Sequence, residues 1–341
     1  MEAFYSTKIN KRGRALPLGP AKVCPHPIQR GHPATPRFMT IQQFKAQSIK
    51  TLSQTSPSPQ LDVEVLLEHF LGFSKSQILL NRDIEISDHN LEQLQAAVNN
   101  RLSGLPVAYI TGHKEFYGYD FFVSPAVLIP KPDTEILVEK AIDIIIEKME
   151  ARPNSLLYIC DMCTGSGCIG ISVLKTLIDV YKIPVGRLPI ITMVDISGSA
   201  LEVAQKNADN LIPGNARSLV RFVQSNLFEM VPGKFDVILT NPPYIPASMV
   251  DELLQDGRSE PRLALDGDVT DCGEKSSSTD GLDLIRRLLP EAEEHLNPLG
   301  SMIMETGEYN AESAAELAKE LGFKPELYKD LEGQLRGFVC L

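Results

Sequence analysis

The stretch Leu156-Leu157-Tyr158-Ile159-Cys160-Asp161-Met162-Cys163-Thr164-Gly165-Ser166-Gly167-Cys168-Ile169-Gly170 indicates the fold class, because it joins an apolar strand to a helix through a glycine-rich turn. Glycine lets the backbone turn sharply and lets a ligand approach without a side chain in the way. The spacing of Gly165, Gly167 and Gly170 also fits a dinucleotide fingerprint, so the turn alone leaves both NAD and S-adenosyl-methionine open. It therefore predicts a ribose-containing cofactor at the end of a strand.

After Pro132 the chain alternates between helical and strand patterns. Apolar strands are predicted at residues 156–160, 190–194, 219–223, 235–239 and 302–304, with edge strands at 323–328 and 337–341. Helices are predicted at residues 135–151, 169–180, 200–210, 282–295 and 311–321. This alternation predicts an α/β domain over residues 131–341, with a parallel sheet covered on both faces. The polar stretch 266–281 is predicted to be a surface loop.

Residues 39–105 are predicted to form a small helical bundle ahead of that domain. Thr40 with Gln43, and Ser74 with Gln77, have the spacing of capping boxes, which begin helices. One apolar stripe follows at helical spacing. Its members are Leu91, Leu94, Val98 and Leu102. Because the bundle has no catalytic residue types, we interpret it as a scaffold or a recognition module.

Residues 106–130 are predicted to be a β-hairpin linker between the bundle and the α/β domain. Aromatic residues are concentrated here, namely Tyr109, Phe116, Tyr117, Tyr119, Phe121 and Phe122. A rough alternation of apolar and polar positions around two glycines favours a hairpin. The rings form either a small core, which we favour, or a stacking platform for bases.

Charge is distributed unevenly along the chain, which carries −11 overall. Residues 1–38 hold seven Lys and Arg against one acid, Glu2, so the remaining residues carry about −17. A basic, Pro-rich segment with few apolar residues is typical of disorder. We interpret it as a transit peptide, as sequence upstream of a true start at Met39, or as a nucleic-acid-binding arm. The acidic remainder disfavours broad nucleic-acid contact, which requires a basic face.

Neither a disulfide framework nor a membrane span is predicted. The six cysteines are too few and too uneven for a framework in 341 residues, so a reducing compartment is expected. No apolar run approaches the roughly 18 residues that cross a bilayer, so we expect a soluble protein. Cys160 and Cys163 have half of a zinc-site spacing, but no second pair or His cluster follows, and no metal is predicted.

Two polar motifs follow predicted strands. Asp195 ends the second strand, where a carboxylate can bind the two vicinal hydroxyls of a ribose, unless it caps the helix at 200–210 instead. The fourth strand ends in Asn241-Pro242-Pro243-Tyr244. Proline restricts its own φ and the residue before it, so this segment is stiff. Because proline nitrogens cannot donate, the segment offers carbonyl acceptors, which suit an NH₂ group.

The chemistry that such acceptors serve is alkylation of a poorly nucleophilic nitrogen. If the Asn241 side-chain oxygen and the Pro242 carbonyl each accept one N–H, the nitrogen aims its remaining lobe at a sulfonium methyl group. Positioning of this kind can contribute about 7 kcal/mol, and the same acceptors stabilise positive charge on nitrogen. Tyr244 is expected to pack against the planar acceptor group. The motif therefore predicts an N-methyltransferase that uses S-adenosyl-L-methionine.

With these motifs the sequence resembles the HemK/PrmC family of protein-(glutamine-N5) methyltransferases, from about residue 60 to the end. The resemblance also covers residues 106–112, 115–118, 127–135, 260–265, 280–282, 305–307 and 330–333. It implies a Rossmann-like class I S-adenosyl-methionine-dependent methyltransferase domain with a mostly parallel seven-stranded sheet. The implied substrate is the glutamine of the Gly-Gly-Gln motif in class I peptide chain release factors, which the helical bundle would help to dock.

The same resemblance implies roles for single residues. The cofactor-binding positions fall on Cys163, Thr164, Gly165, Ser166, Gly167, Asp195, Asn226, Leu227 and Asn241. The substrate-binding clamp falls on Asn241, Pro242, Pro243 and Tyr244, of which Asn241, Pro242 and Tyr244 are expected to be catalytic. Departures from the family pattern occur at Lys131, Asp133, Cys163, Asn226 and Asn310, and residues 268–279 look like an insertion.

Three other functions explain fewer of these features. An adenine-N6 methyltransferase on DNA or RNA uses the same clamp, but it needs a basic channel that a body at about −17 does not indicate. An NAD-dependent oxidoreductase explains the glycines alone, and an inactive adaptor leaves the clamp without a role. We expect no stable nucleic-acid partner, no membrane partner and a cytoplasmic location, or a mitochondrial one if residues 1–38 are a transit peptide.

Overall fold

A computed structural model describes residues 39–255, 260–269 and 278–341 of the chain. The described residues belong to one unit, Met39–Leu341. The predictions made for residues 1–38 and for most of the stretch 268–279 lie outside the described residues.

The N-terminal part is helical, as predicted. Its helices are α1 (Ile41–Leu52), α2 (Pro59–Leu71), α3 (Lys75–Leu80), α4 (Asp88–Leu102) and α5 (Val107–Thr111). Both predicted capping boxes are confirmed: Gln43 N donates to Thr40 Oγ1 over 3.2 Å, and Gln77 N donates to Ser74 Oγ over 3.3 Å. These helices enclose an apolar core of their own, which includes Leu52, Val63, Leu66, Leu67 and Leu94.

The predicted hairpin follows, formed by β1 (His113–Phe116) and β2 (Tyr119–Phe122), which pair antiparallel. Tyr117 and Gly118 connect the strands with φ of 53° and 76°, as a tight two-residue turn requires. The hairpin is shorter than predicted, because α5 fills the start of the segment and ends at Gly112, whose φ is 74°. Phe116 and Phe121 are buried with ring centroids 6.1 Å apart, which fits the core interpretation of these aromatic residues.

The remaining strands form a seven-stranded sheet within the described residues. The strands are β3 (Tyr158–Met162), β4 (Ile190–Asp195), β5 (Val220–Gln224), β6 (Phe235–Thr240), β7 (Leu296–Glu305), β8 (Pro325–Lys329) and β9 (Leu335–Cys340). Their order is β5-β4-β3-β6-β7-β9-β8, with β3 to β7 parallel and β9 antiparallel to both neighbours. The predicted mostly parallel seven-stranded sheet is confirmed.

Helices cover both faces of this sheet. They are α6 (Glu135–Ala151), α7 (Cys168–Asp179), α8 (Gly198–Leu211), α9 (Ala247–Gln255), α10 (Asp283–His295) and α11 (Ala311–Glu320). Alternate residues of β3 enter different cores, because successive side chains of a strand point to opposite faces. Ile159 packs in the core that includes α6 and α7, whereas Cys160 packs in the core that includes α10 and α11. Helix α9 was not predicted.

The prediction of a surface loop at residues 266–281 is wrong where the structure describes its first part. Asp266 and Asp268 are buried. The Asp268 carboxylate accepts backbone N–H groups from Ala247 at 3.2 Å and from Gly281 at 2.8 Å. A buried carboxylate requires hydrogen-bond donors, and backbone N–H groups supply them here. This part of the polar stretch therefore packs inside the fold.

The sheet order also positions the site. Strand β3 lies between β4 and β6, so the connections that leave its two sides run in opposite directions along the sheet. In open α/β sheets a crevice forms at the carboxyl ends of the strands at such a point. The glycine-rich turn follows β3, Asp195 is the last residue of β4, and Asn241 follows β6.

Candidate active site

A cavity of about 550 Å³ opens at the carboxyl ends of β3, β4 and β6. This volume lies in the range of sites that hold small molecules. Of the residues predicted to bind cofactor or substrate, the cavity brings together Cys163, Thr164, Gly165, Ser166, Asp195, Asn226, Leu227, Asn241 and Pro243. Gly167, Pro242 and Tyr244 lie outside its lining.

The acid of β3, Asp161, stabilises the glycine-rich turn through hydrogen bonds. The fully buried Asp161 carboxylate accepts hydrogen bonds on Oδ2 from Thr164 Oγ1 at 2.6 Å and from Gly170 N at 3.0 Å. Burial raises the pKa of Asp161 to about 6, although both hydrogen bonds oppose the rise. The turn therefore keeps its shape through contacts to a group that does not reach the cavity.

The three glycines of the fingerprint have different roles. Gly165 has a φ of 53°, lines the cavity, and a Cβ on it would meet no protein atom within 4 Å. A Cβ on Gly167 would lie 2.8 Å from Ile171 Cδ1, and one on Gly170 would lie 2.9 Å from Asp161 Oδ2. Gly165 thus leaves room for a ligand, whereas Gly167 and Gly170 allow close packing of α7 against its neighbours.

The Asp195 carboxylate links the end of β4 to the glycine-rich turn that follows β3. Its Oδ2 accepts from Gly165 N and its Oδ1 accepts from Ser197 N, both over 2.9 Å. Burial raises the Asp195 pKa, and these backbone hydrogen bonds oppose the rise. The alternative role as a helix cap belongs to Ser197, whose hydroxyl accepts from Ala200 N at 3.2 Å. Carboxylate oxygens have further lone pairs, so Asp195 can still accept from a ligand in the cavity.

Asn226 and Leu227 form part of the wall that follows β5. Arg287 Nη2 donates to Asn226 Oδ1 over 3.1 Å, and Asn226 Nδ2 donates to Glu229 Oε1 over 3.0 Å. These two bonds hold the amide in one orientation. Leu227 is buried with a φ of 47°, which turns its backbone along the cavity.

The residues of the substrate-binding clamp differ in how deeply they are buried. Asn241 is half-buried at the cavity, and its Nδ2 donates to Thr134 Oγ1 over 3.2 Å. Pro242 is buried, and no donor from the described residues contacts its carbonyl oxygen. Tyr244 points its hydroxyl at Glu305, donating to Oε1 over 3.4 Å, while its ring packs against the core beside α10 and α11.

Thr134 and Glu305 were not predicted as site residues, although each hydrogen-bonds a clamp residue. Glu305 ends β7 and is buried, which raises its pKa to about 7, while the hydrogen bond from the Tyr244 hydroxyl lowers it. An acid at the carboxyl end of a predicted strand is the signal that identified Asp195, and it would have identified Glu305 as well. Thr134 carried no such signal.

A second wall of the cavity was also missed. Residues 125–128, 130–131 and 261–264 line it. Glu260 joins the two segments, because its Oε1 accepts from Lys131 Nζ at 2.9 Å and from Ile129 N at 3.2 Å. The departure from the family pattern at Lys131 thus still leaves a cation that pairs with a buried carboxylate.

Comparison with known proteins was made for the whole chain. The family models "PrmC N-terminal domain" and "Methyltransferase small domain" match residues 45–112 and 136–259. The release factor glutamine methyltransferase of Haemophilus influenzae is 35% identical over 289 residues, which are 83% of this chain and 91% of that protein. The one of Moorella thermoacetica is 34% identical over 306 residues, 89% and 98% of the two chains. This chain belongs to the release factor glutamine methyltransferase family.

Membership of that family confirms the predicted HemK/PrmC resemblance and the enzyme class, an S-adenosyl-L-methionine-dependent protein-glutamine methyltransferase. Among solved structures, a Pyrococcus furiosus methyltransferase is 17% identical with a TM-score of 0.42, covering 74% of this chain and 98% of that one. The Thermus thermophilus 16S rRNA N2 G1207 methyltransferase is 16% identical with a TM-score of 0.43, covering 67% and 49%. In the described ranges, no helix combines the length and apolar character needed to cross a bilayer.

The cavity of this family member fits S-adenosyl-L-methionine. Gly165 leaves open space where any other residue would place a side chain, and Asp195 presents a carboxylate at the end of β4. The apolar side chains of Ile196, Ala200 and Leu227 also line the cavity. The Asp195 carboxylate suits the ribose, and the turn without a side chain at Gly165 suits the polar tail. The apolar walls suit the planar base.

Of the two cysteines with zinc-site spacing, Cys160 belongs to strand β3 and Cys163 to the glycine-rich turn. Cys160 is buried within the sheet, and Cys163 lines the cavity in the left-handed conformation with a φ of 59°. Burial raises the pKa of both thiols, which disfavours the thiolate that a metal would need. In the part of the chain that is described, one group of acids, Asp268, Asp280 and Asp283, lies close enough to share an ion. It includes neither cysteine.

Proposed function

We propose that this enzyme methylates the side-chain amide nitrogen of the glutamine in the Gly-Gly-Gln motif of class I peptide chain release factors. The observation that carries the proposal is the orientation of the Asn241 carboxamide. Asn241 lines the cavity, and its NH₂ group donates to Thr134, which leaves its oxygen to accept from a ligand. An oxygen acceptor at that position suits the NH₂ of a substrate carboxamide.

The chain's own residues provide binding and positioning. S-adenosyl-L-methionine supplies a methyl group bound to a positively charged sulfur. Asp195 binds the ribose hydroxyls, and Gly165 leaves the backbone of the turn accessible. Asn241 Oδ1 and the Pro242 carbonyl oxygen accept the two N–H groups of the glutamine, so that its nitrogen faces the methyl group. As the nitrogen bonds to the methyl carbon and the bond from that carbon to sulfur breaks, the same two oxygens would stabilise the positive charge that develops on nitrogen. One proton would then leave the nitrogen to water, and sulfur would keep the electron pair as a neutral thioether.

A protein substrate is favoured over adenine in DNA or RNA. Family membership supports it, and residues 39–341 carry about −17, which repels a phosphate backbone. An acidic enzyme suits a basic, ribosome-facing substrate domain. The adenine alternative would also require extrusion of a base from its stack. Two of the cations that line the cavity are already paired with carboxylates, Lys131 with Glu260 and Arg262 with Asp251 and Asp266.

The helical bundle is proposed to dock the release factor at a distance from the chemistry. Its family model covers residues 45–112, and it carries exposed apolar side chains at Leu79 and Leu80. A second contact would raise the effective concentration of a flexible glutamine loop at the methyl donor. Methylation of the intact factor is expected to be far more efficient than methylation of the isolated loop peptide, and equal efficiency would refute docking.

The test of function is mass spectrometry of a class I release factor after incubation with the enzyme and an isotope-labelled methyl donor. The label is expected on the glutamine of Gly-Gly-Gln and absent from adenine-containing DNA and RNA oligonucleotides treated in parallel. Label on adenine, or on another residue of the factor, would overturn the proposal. The same substrate supports a cytoplasmic site of action, or a mitochondrial one, where release factors also work.

A further inference from the structure

A buried asparagine outside the cavity lining joins the glycine-rich turn to the hairpin. Asn207 lies on α8 and is only 1% exposed. Its Oδ1 accepts from Phe122 N over 2.7 Å, and its Nδ2 donates to Phe122 O and to Ser166 O over 2.9 Å each. Phe122 ends β2 of the hairpin, and Ser166 belongs to the turn that follows β3. One side chain therefore connects two segments that are distant in sequence.

The partners of Asn207 fix the direction of its carboxamide. A backbone N–H only donates and a carbonyl oxygen only accepts, so Phe122 N requires the oxygen end and the two carbonyls require the NH₂ end. The oxygen and both N–H bonds of the amide are thus used, as a buried polar group requires. Asn207 contacts the free edge of β2 through both a donor and an acceptor, as the peptide group of a neighbouring strand would.

The carbonyl group of Ser166 depends on this side chain. Ser166 is 2% exposed and lines the cavity. The Gly170 N–H, four residues further along, donates to Asp161 and not to Ser166. Among the hydrogen bonds of the described residues, Asn207 Nδ2 is the one donor to Ser166 O. A buried carbonyl without a donor is unfavourable, so loss of the Asn207 amide would let this part of the turn shift.

The helix that carries Asn207 also packs against the segment that contains the hairpin. Ala200 and Val203 of α8 share one apolar cluster with residues of that segment, namely Tyr109, Val123 and Val127. Ala200 and Val127 line the cavity as well. Helix α8 is therefore the surface on which the hairpin segment and the glycine-rich turn meet.

We propose that Asn207 is a positioning residue for S-adenosyl-L-methionine, which holds the Ser166 carbonyl in place and fastens the hairpin to the cofactor-binding turn. Asn207 lies outside the lining of the cavity, so it acts on the cofactor through Ser166. Because coupling between two sites is reciprocal, cofactor that orders the turn also stabilises the hairpin at Phe122. The inference rests on the cofactor lying against the glycine-rich turn, and it does not depend on which amide is methylated.

The first experiment is isothermal titration calorimetry of S-adenosyl-L-methionine with the full-length enzyme. Asn207→Asp keeps the size of the side chain and an acceptor for Phe122 N, but it places a carboxylate oxygen against the two carbonyls. We expect its dissociation constant to rise about tenfold, as the loss of one or two hydrogen bonds implies. Asn207→Leu, which removes all three bonds, should raise the dissociation constant at least as much.

A matched control loosens the hairpin without touching the turn. The Thr176 hydroxyl on α7 hydrogen-bonds the Tyr119 hydroxyl on β2 over 3.2 Å. Thr176→Val removes this bond, and we expect the cofactor dissociation constant to stay within about twofold of the wild-type value, since Thr176 has no contact with the turn. An unchanged dissociation constant in both Asn207 variants, or an equal rise in Thr176→Val, would overturn the proposal.

A second measurement tests the coupling in the unaltered enzyme. The hydrogen-exchange rate of the Phe122 backbone amide is measured by NMR without cofactor and with saturating S-adenosyl-L-methionine. We expect the cofactor to slow this exchange at least about threefold, although Phe122 lies outside the cavity lining. In Asn207→Asp the amide keeps an acceptor, but the effect of the cofactor should disappear because the link to Ser166 is lost.

Two results of the exchange experiment would refute the coupling. One is an exchange rate in the wild type that the cofactor does not change. The other is the same slowing in Asn207→Asp as in the wild type. Neither measurement uses the release factor, so failure of this proposal and failure of the proposed function are distinguishable.

Discussion

Removal of the Asp195 carboxylate is predicted to weaken cofactor binding without abolishing the fold. In the structure this carboxylate accepts from Gly165 N and Ser197 N over 2.9 Å each, and a bound ribose would add hydroxyl donors. A hydrogen bond to a charged group contributes about 1.5–3 kcal/mol, and part of the loss falls on the free protein because the turn loses its anchor as well. We therefore expect Asp195→Ala to cost about 1–3 kcal/mol of binding free energy, which raises the dissociation constant about 5- to 150-fold.

Isothermal titration calorimetry with S-adenosyl-L-methionine measures this loss, and two further variants separate its causes. Asp195→Asn keeps the size but has one acceptor oxygen, so its dissociation constant should lie between those of the wild type and Asp195→Ala. Ser197→Ala removes the cap of α8 and should cost about 1 kcal/mol of stability while leaving the affinity unchanged. If both Asp195 variants bind the cofactor as tightly as the wild type, the ribose lies elsewhere and the assignment fails.

Three further outcomes are predicted. The buried Glu305 has its pKa raised to about 7, so the folded protein holds a proton that the unfolded chain releases near pH 4.5. The free energy of unfolding should therefore fall as pH rises between about 4.5 and 7, and Glu305→Gln should remove that slope from thermal denaturation curves; a slope that persists would contradict it. Gly170→Ala should destabilise the protein by about 1–3 kcal/mol in denaturant titrations, because the added Cβ meets Asp161, whereas Gly165→Ala should mainly weaken cofactor binding; the reverse pattern would be contradictory. Cys163→Gly should raise the free energy of unfolding by up to about 1 kcal/mol, since Cys163 is held at a positive φ, and a loss of stability would show that its side-chain contacts matter more.

The alternation of strands and helices could be predicted because it depends on local patterns. Helix Glu135–Ala151 has the predicted bounds, and the capping boxes at Thr40 and Ser74 form as expected. Short elements were harder, since five residues such as Val107–Thr111 carry too little periodicity to distinguish a helix from a strand. Strand β7 is longer than predicted, because its first half contains Pro298 and Gly300, which do not resemble a strand.

The site could be predicted only in part, for a different reason. Asp195 and Asn241 were found because each directly follows a strand, and the carboxyl ends of parallel strands meet at one edge. Gly167 was assigned to the cofactor, but its neighbours Ile171 and Ala204 come from helices whose packing a sequence does not reveal. The hydrogen bonds of Asn241 with Thr134 and of Tyr244 with Glu305 likewise depend on tertiary contacts between distant segments.

The Asn241 carboxamide oxygen is proposed to hold the substrate amide for methyl transfer. The most direct test is the single-turnover rate of methyl transfer to intact release factor by Asn241→Ala, with enzyme and cofactor both saturating, alongside the cofactor dissociation constant. We expect the rate to fall by at least about a hundredfold, because the group removed acts mainly in the transition state, while the cofactor dissociation constant stays within a fewfold of the wild-type value. A rate equal to that of the wild type would contradict it.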